Sequence, residues 1–97
     1  MQANINALAT EHWLWCERMG WHNKTLLEYL ALVGSEVGEA VNECRGERPT
    51  DNFAEECADI ILRTLDLMVQ YKITPSVALE AKITKNLAKG KKPGRIK

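Results

Sequence analysis

The chain is poor in the features that most often betray a function. Its 97 residues include one Phe, three Pro and three Cys, and the thirteen acidic side chains cancel the thirteen Lys and Arg. No apolar run approaches the roughly 20 residues that span a bilayer. Met1 to Thr10 has neither the basic start nor the continuous apolar centre of a secretory signal. Cys16, Cys44 and Cys57 are odd in number and far apart. That excludes a disulfide framework and a CxxC zinc or redox pair, and leaves three small buried hydrophobes of a reducing compartment. No GxxxxGK[ST] loop occurs, which disfavours a P-loop motor or kinase. A cytoplasmic protein that does not touch membranes is the expectation.

What is present is helical periodicity. Ninety-seven residues make one domain, 1–97, with no room for a second core. Punctuation at Gly20, at 46–52 and at 72–75 divides the chain into four segments too long, and too poor in alternation, for strands. The first, Asn4 to Met19, places Ile5, Leu8, His12, Trp15 and Met19 at helical spacing, with Gly20 as its C-terminal cap. Thr25 with Glu28 predicts a capping box, after which Leu26, Leu30, Val33, Val37, Val41 and Cys44 form a stripe. Asn52 with Glu55 predicts a second such start, before Phe53, Cys57, Ile60, Thr64, Leu67 and Tyr71. Thr74 reads as the N-cap and Pro75 as the first residue of the fourth helix. That helix carries the thin stripe Leu79, Ile83, Leu87 and stops at Gly90; residues 91–97 read as an extended basic tail. The fold class is all-α, and a four-helix bundle is the economical arrangement. A chain this short buries too little surface to be very stable alone, so a symmetric partner is expected to complete the core.

The neutral total conceals segregation. Eight of the thirteen acids lie between Glu36 and Asp59, opposed there only by Arg45 and Arg48, whereas seven bases and no acid follow Glu80. Glu36 and Glu39 are about 60° apart on the second helix, and Glu56 and Asp59 about 60° apart on the third. Glu36 and Glu56 border the apolar stripes; Glu55 points to solvent. If the two helices pack antiparallel, the four carboxylates converge. Such a cluster of hard oxygen donors becomes favourable around Mg²⁺ or Mn²⁺, and four exceed the needs of one Mg²⁺. A solvated acidic face on two helices accounts for the spacing equally well. On the fourth helix Lys82, Lys85, Asn86 and Lys89 fall within about 100° of one another. Ammonium groups beside an amide suit phosphate and sugar oxygens, although a solvated lysine face has the same pattern.

Glu36-Val37-Gly38-Glu39, sixteen residues, then Glu56-Cys57-Ala58-Asp59 resembles the ExxE…ExxD signature of the MazG-like all-α nucleoside triphosphate pyrophosphohydrolases. Glu55-Glu56-Cys57-Ala58-Asp59-Ile60 is similar to that family's E-E-L-A-D-hydrophobic run, and Lys82 to Asn86 is similar to its KxxxN element. The likeness runs from about Leu8 to Lys92. It implies a four-helix MazG-like bundle working as a homodimer or homotetramer. It also implies Mg²⁺-dependent cleavage between the α- and β-phosphates, giving a nucleoside monophosphate and pyrophosphate. Glu36, Glu39, Glu56 and Asp59 match the metal ligands. Lys82 and Asn86 match the phosphate and sugar contacts, with Lys85 and Lys89 beside them. Relatives acting on dCTP use a His on the first helix and a Trp about nine residues on; His12 and Trp21 stand at that spacing. Metals held there would neutralise the triphosphate and lower the pKa of a bound water, with a carboxylate such as Glu39 accepting its proton.

Two other readings meet the same residues. Phosphoribosyl-ATP pyrophosphohydrolases carry a similar acidic signature. A non-catalytic helical module binding protein or nucleic acid would use the basic tail, but the stretch from Lys89 to Arg95 lacks the interleaved aromatics that stack on bases. A nucleoside triphosphate, and no nucleic acid, is the expected partner.

Overall fold

The computed structural model describes residues 4–90, and the expected basic tail at 91–97 lies outside them. Four helices follow in order, α1 (Ile5–Arg18), α2 (Leu26–Asn42), α3 (Phe53–Gln70) and α4 (Pro75–Lys89), with no strand among the described residues. No helix there is long and apolar enough to cross a membrane.

Local chemistry sets the helix ends. The Asn4 side chain accepts from the Ala7 N–H at 2.8 Å and starts α1. At the other end Gly20 adopts φ +73°. Its N–H donates to the Glu17 carbonyl while Trp21 N–H donates to that of Cys16, each at 3.0 Å. This is a Schellman pair of bonds, and it folds Trp21 and His22 back along the helix. A Cβ on Gly20 would meet nothing within 4 Å, so Gly20→Ala is expected to cost only the left-handed backbone term, roughly 1–2 kcal/mol. A drop in the midpoint of chemical denaturation measures it. The Thr25–Glu28 capping box forms in both directions, at 3.2 and 2.8 Å.

Two expected caps differ. Asn52 has helical backbone angles and makes no side-chain cap bond. Its N–H donates to Thr50 Oγ1, and Thr50 in turn holds Glu43 through both backbone and side chain. Thr74 also makes no side-chain cap bond; instead Asn6 of α1 accepts from the Ser76 N–H at 2.9 Å and donates to Ser76 Oγ at 2.8 Å. The start of α4 is therefore capped from 70 residues away.

Helix α3 is central. Helices α1 and α2 lie antiparallel to it on two flanks without packing on each other, and α4 leans on α1 and α3 but not on α2. The hydrophobic interior is correspondingly small: among the described residues Ala9, Cys16, Ala40, Leu65, Leu67 and Pro75 are the buried apolar residues, and no large side chain is fully enclosed. The expected stripes of α1, α2 and α4 lie largely on the outside, whereas that of α3 is half-buried to buried from Phe53 to Leu67. Leu26, Leu30, Val37 and Val41 are 43–54% exposed, while the most buried residues of α2 are Glu36 and Ala40. Periodicity marks an apolar face correctly, but α2 presents a different face to α3. On α1 the same holds, with Ala9 and Cys16 inside and Leu8, Trp15 and Met19 about half exposed. Of the cysteines expected inside, Cys44 is exposed and Cys57 half-buried, and all three are free.

Candidate active site

Because α2 and α3 are antiparallel, residues whose numbers sum to about the same value face each other, and Glu36 meets Glu56, Asp59 and Arg63. One carboxylate oxygen from each of Glu36, Glu56 and Asp59 lies within 4.8 Å of the others. Glu36 is 8% exposed, at the centre of the α2–α3 contact rather than on its border. Its Oε2 accepts from Arg63 Nε at 2.9 Å. Glu56 Oε1 is buried and has no hydrogen-bond partner. Glu39 stands one turn along α2, and when protonated it donates to the Glu36 carboxylate.

The four carboxylates oppose one another electrostatically. Glu39 is held above the usual carboxylate range, first by that hydrogen bond to Glu36, then by the charge of Glu36, with a smaller push from Asp59. Burial pushes Glu56 up as well, and the charges of Glu39, Glu36 and Asp59 add to it. Raised carboxylates with one oxygen left unpartnered leave a concentration of negative charge that Arg63 offsets only in part. The donor set is all oxygen and suits a hard divalent cation. Glu55 is exposed and takes no part.

Arg63 does not emerge from the spacing of the acidic motifs, although a signal for it exists. It lies four residues after Asp59 and seven after Glu56, hence on the same face of α3. Its guanidinium continues the site into a cavity of about 570 Å³ between α1 and α2, floored by α3. Asp59 and Arg63 line one part of this cavity, and His12, Trp15, Trp21 and Tyr29 line another. His12 and Trp21 thus share one cavity with a member of the acidic cluster. Trp21 meets Trp15 edge-on, ring centres 4.8 Å apart at 87°, and His12 lies 6.1 Å from Trp15. Trp13, on the other side of α1, is structural. It stacks on His22 at 4.8 Å and donates from Nε1 to Gln70 Oε1 at 2.7 Å.

The α4 residues make no hydrogen bond or ion pair with the carboxylates among the described residues. Lys82, Lys85 and Lys89 are exposed and Asn86 is half-buried. None of these lysines forms an ion pair among the described residues, and α4 does not touch α2.

Asp66, which lines the cavity, belongs to a further charged unit with His22 and Glu17. His22, with its side chain 6% exposed, has Nδ1 at 2.6 Å from Glu17 and Nε2 at 3.0 Å from Asp66. Burial works against a charged imidazole, but hydrogen bonds to Glu17 and Asp66 outweigh it and raise the pKa above 6.5. A raised histidine stabilises the fold fully below its unfolded pKa, and this contribution is lost as pH rises through the folded value. Thermal melts taken upward from pH 6.5 are therefore expected to show falling stability in the wild type. His22→Gln is expected to remove that slope.

Searched against protein-family models, curated proteins and solved structures, the chain matches none.

Proposed function

We propose that the chain is a Mg²⁺-dependent nucleoside triphosphate pyrophosphohydrolase that cleaves between the α- and β-phosphates. The observation that carries this reading is the convergence of Glu36, Glu56 and Asp59, with Glu39 adjacent, at the edge of a cavity that also offers His12 and Trp21. Carboxylates at one end and aromatic rings at the other are the complement of a metal-chelated polyphosphate joined to a base.

Glu36, Glu39, Glu56 and Asp59 would hold the cation, with Mn²⁺ an acceptable substitute. When bound, Mg²⁺ neutralises phosphate oxygens and makes water more acidic. Glu39, the more exposed of the α2 pair and held above the usual range, would take a proton from the attacking water. Arg63 faces both Glu36 and the cavity, so its guanidinium can shift hydrogen bonds from carboxylate to phosphate. His12 and Trp21 would flank the base. A MazG-like fold accounts for the order and length of the helices and for both acidic motifs on α2 and α3. The use of such an enzyme is removal of modified or surplus nucleotides.

The protein would act as a homo-oligomer, a dimer or a dimer of dimers. The half-exposed stripe of Leu26, Leu30, Val37 and Val41 on α2 provides an apolar face for the partner. A second copy would also bring α4, with Lys82, Lys85, Asn86 and Lys89, to carboxylates with which the chain's own α4 makes no ion pair. Turnover of a panel of nucleoside triphosphates, scored by pyrophosphate in the presence and absence of Mg²⁺, tests the activity. Turnover of phosphoribosyl-ATP alone would move the assignment to that related reaction.

A further inference from the structure

A second group of potential ligands lies in the same cavity and differs in chemistry from the first. His12 and Cys16 are one turn apart on α1, and Cys16 Sγ lies 3.7 Å from both ring nitrogens of His12. Asp66 of α3 completes the group: one ligand atom from each of His12, Cys16 and Asp66 falls within 4.8 Å of the other two. We propose that these three side chains form a binding site for a borderline transition-metal cation of the Zn²⁺ class, distinct from the carboxylate cluster.

Four observations carry the assignment. A tetrahedral ion with ordinary metal–sulfur and metal–nitrogen bonds separates its S and N ligands by about 3.5 Å; Cys16 Sγ stands at 3.7 Å from both His12 nitrogens, so a turn of the ring that aims one lone pair at the shared ion is all the adjustment this pair needs. The donors are nitrogen, sulfur and one carboxylate, a set that selects Zn²⁺ or Co²⁺ over Mg²⁺. Both Asp66 oxygens lie 3.0 Å from Nε2 of His22, whose other ring nitrogen is held by Glu17; that hydrogen bond fixes the orientation of the carboxylate and leaves its outer lone pairs for a metal. Finally, all three residues line the 570 Å³ cavity, which leaves room there for a fourth ligand from solvent.

Binding replaces the Cys16 S–H by an S–metal bond and releases one proton to the buffer, so affinity falls as pH is lowered. Burial pushes that thiol up, with Asp66 adding to the effect and Arg63 opposing it. An ion at this position uses the His12 imidazole and occupies the aromatic end of the cavity. It therefore inhibits the nucleotide reaction proposed above; this consequence alone rests on that reading.

Co²⁺ titration of the full chain in excess Mg²⁺, followed by absorption, tests the site without any nucleotide. The expected result is one equivalent of Co²⁺ producing a thiolate-to-cobalt charge-transfer band together with the intense visible bands of a low-coordinate ion, both abolished by equimolar Zn²⁺. Cys16→Ser is expected to lose the charge-transfer band, whereas the double variant Cys44→Ser/Cys57→Ser keeps it. Asp66→Asn is expected to weaken binding at least tenfold, with folding of each variant checked by circular dichroism. Absence of the band in the wild type, or its persistence in Cys16→Ser, overturns the proposal. Should Cys16→Ser fail to fold, loss of the band in the Cys44/Cys57 double variant overturns it equally. Zinc-dependent inhibition of pyrophosphate release is then expected in the wild type. A cobalt band without any such activity would refute the nucleotide reading and leave the metal site standing.

Discussion

Asp59→Asn and Glu56→Gln are expected to abolish Mg²⁺-dependent pyrophosphate release while making the metal-free protein more stable. The loss should be on the order of 10²-fold or more, the usual consequence of removing a group that organises charge at the reacting centre. The gain in stability follows from the repulsion among Glu36, Glu39, Glu56 and Asp59. Each substitution removes one like charge. The amide introduced by Glu56→Gln can also donate to a neighbouring carboxylate, at a position where Glu56 Oε1 has no partner. The sign with pH is definite. Glu39 and Glu56 titrate above 4.5 in the folded state, so the native chain retains protons that the unfolded chain has lost. Stability of the metal-free wild type therefore falls as pH rises from about 4.5 through the folded values, and is lower above them. The slope should be shallower in both variants. Mg²⁺ should stabilise the wild type by about 2.7 kcal/mol at a hundredfold excess over its Kd, and the variants by much less. A loss of activity accompanied by a fall in stability would instead mark these residues as structural.

The second large effect concerns the partner. Within one chain Lys82 forms no ion pair with Asp59, and α4 and α2 do not meet. If a second copy supplies α4, a chain lacking the lysine and a chain lacking the carboxylate should complement each other. Asp59→Asn and Lys82→Ala proteins, each inactive alone, are expected to recover about a quarter of wild-type activity when unfolded together and refolded as a mixture. The fraction is statistical: half of the dimers formed are mixed, and each of those holds one intact site of two. Leu30→Lys combined with Val37→Lys, which places charges on the half-exposed apolar face of α2, should yield a monomer by sedimentation and no activity. No recovery on mixing, with the oligomer intact, would place Lys82 in its own chain's site or outside the site altogether. A wild type that sediments at 11.0 kDa would remove the partner from the account.

The helices themselves are legible in the sequence because their punctuation is local. Gly20, the Thr25–Glu28 box and Pro75 act within a few residues, and all three perform as the sequence implies. The Asn52 and Thr74 caps mislead for the opposite reason. Thr50 and Glu43 organise the loop before α3, and the partner of Ser76 is Asn6, which no window around α4 contains. Orientation is harder still. Apolar periodicity gives the direction of a hydrophobic face but not the identity of what it faces. Glu36 thus reads as a border residue although it lies in the middle of the α2–α3 contact. The spacing of Glu36, Glu56 and Asp59 survives that error, because an antiparallel hairpin brings these three together whichever flank is inside. The Arg63 pair, and the Glu17–His22–Asp66 chain behind the cavity, depend on side chains meeting across helices.

The most direct test is to identify the products formed by the purified wild-type chain from nucleoside triphosphates with Mg²⁺. Nucleoside monophosphate and pyrophosphate are expected in equal amounts, with no product when Mg²⁺ is chelated and none from Asp59→Asn. Nucleoside diphosphate with orthophosphate, or no turnover of any nucleotide by a correctly assembled protein, would contradict it.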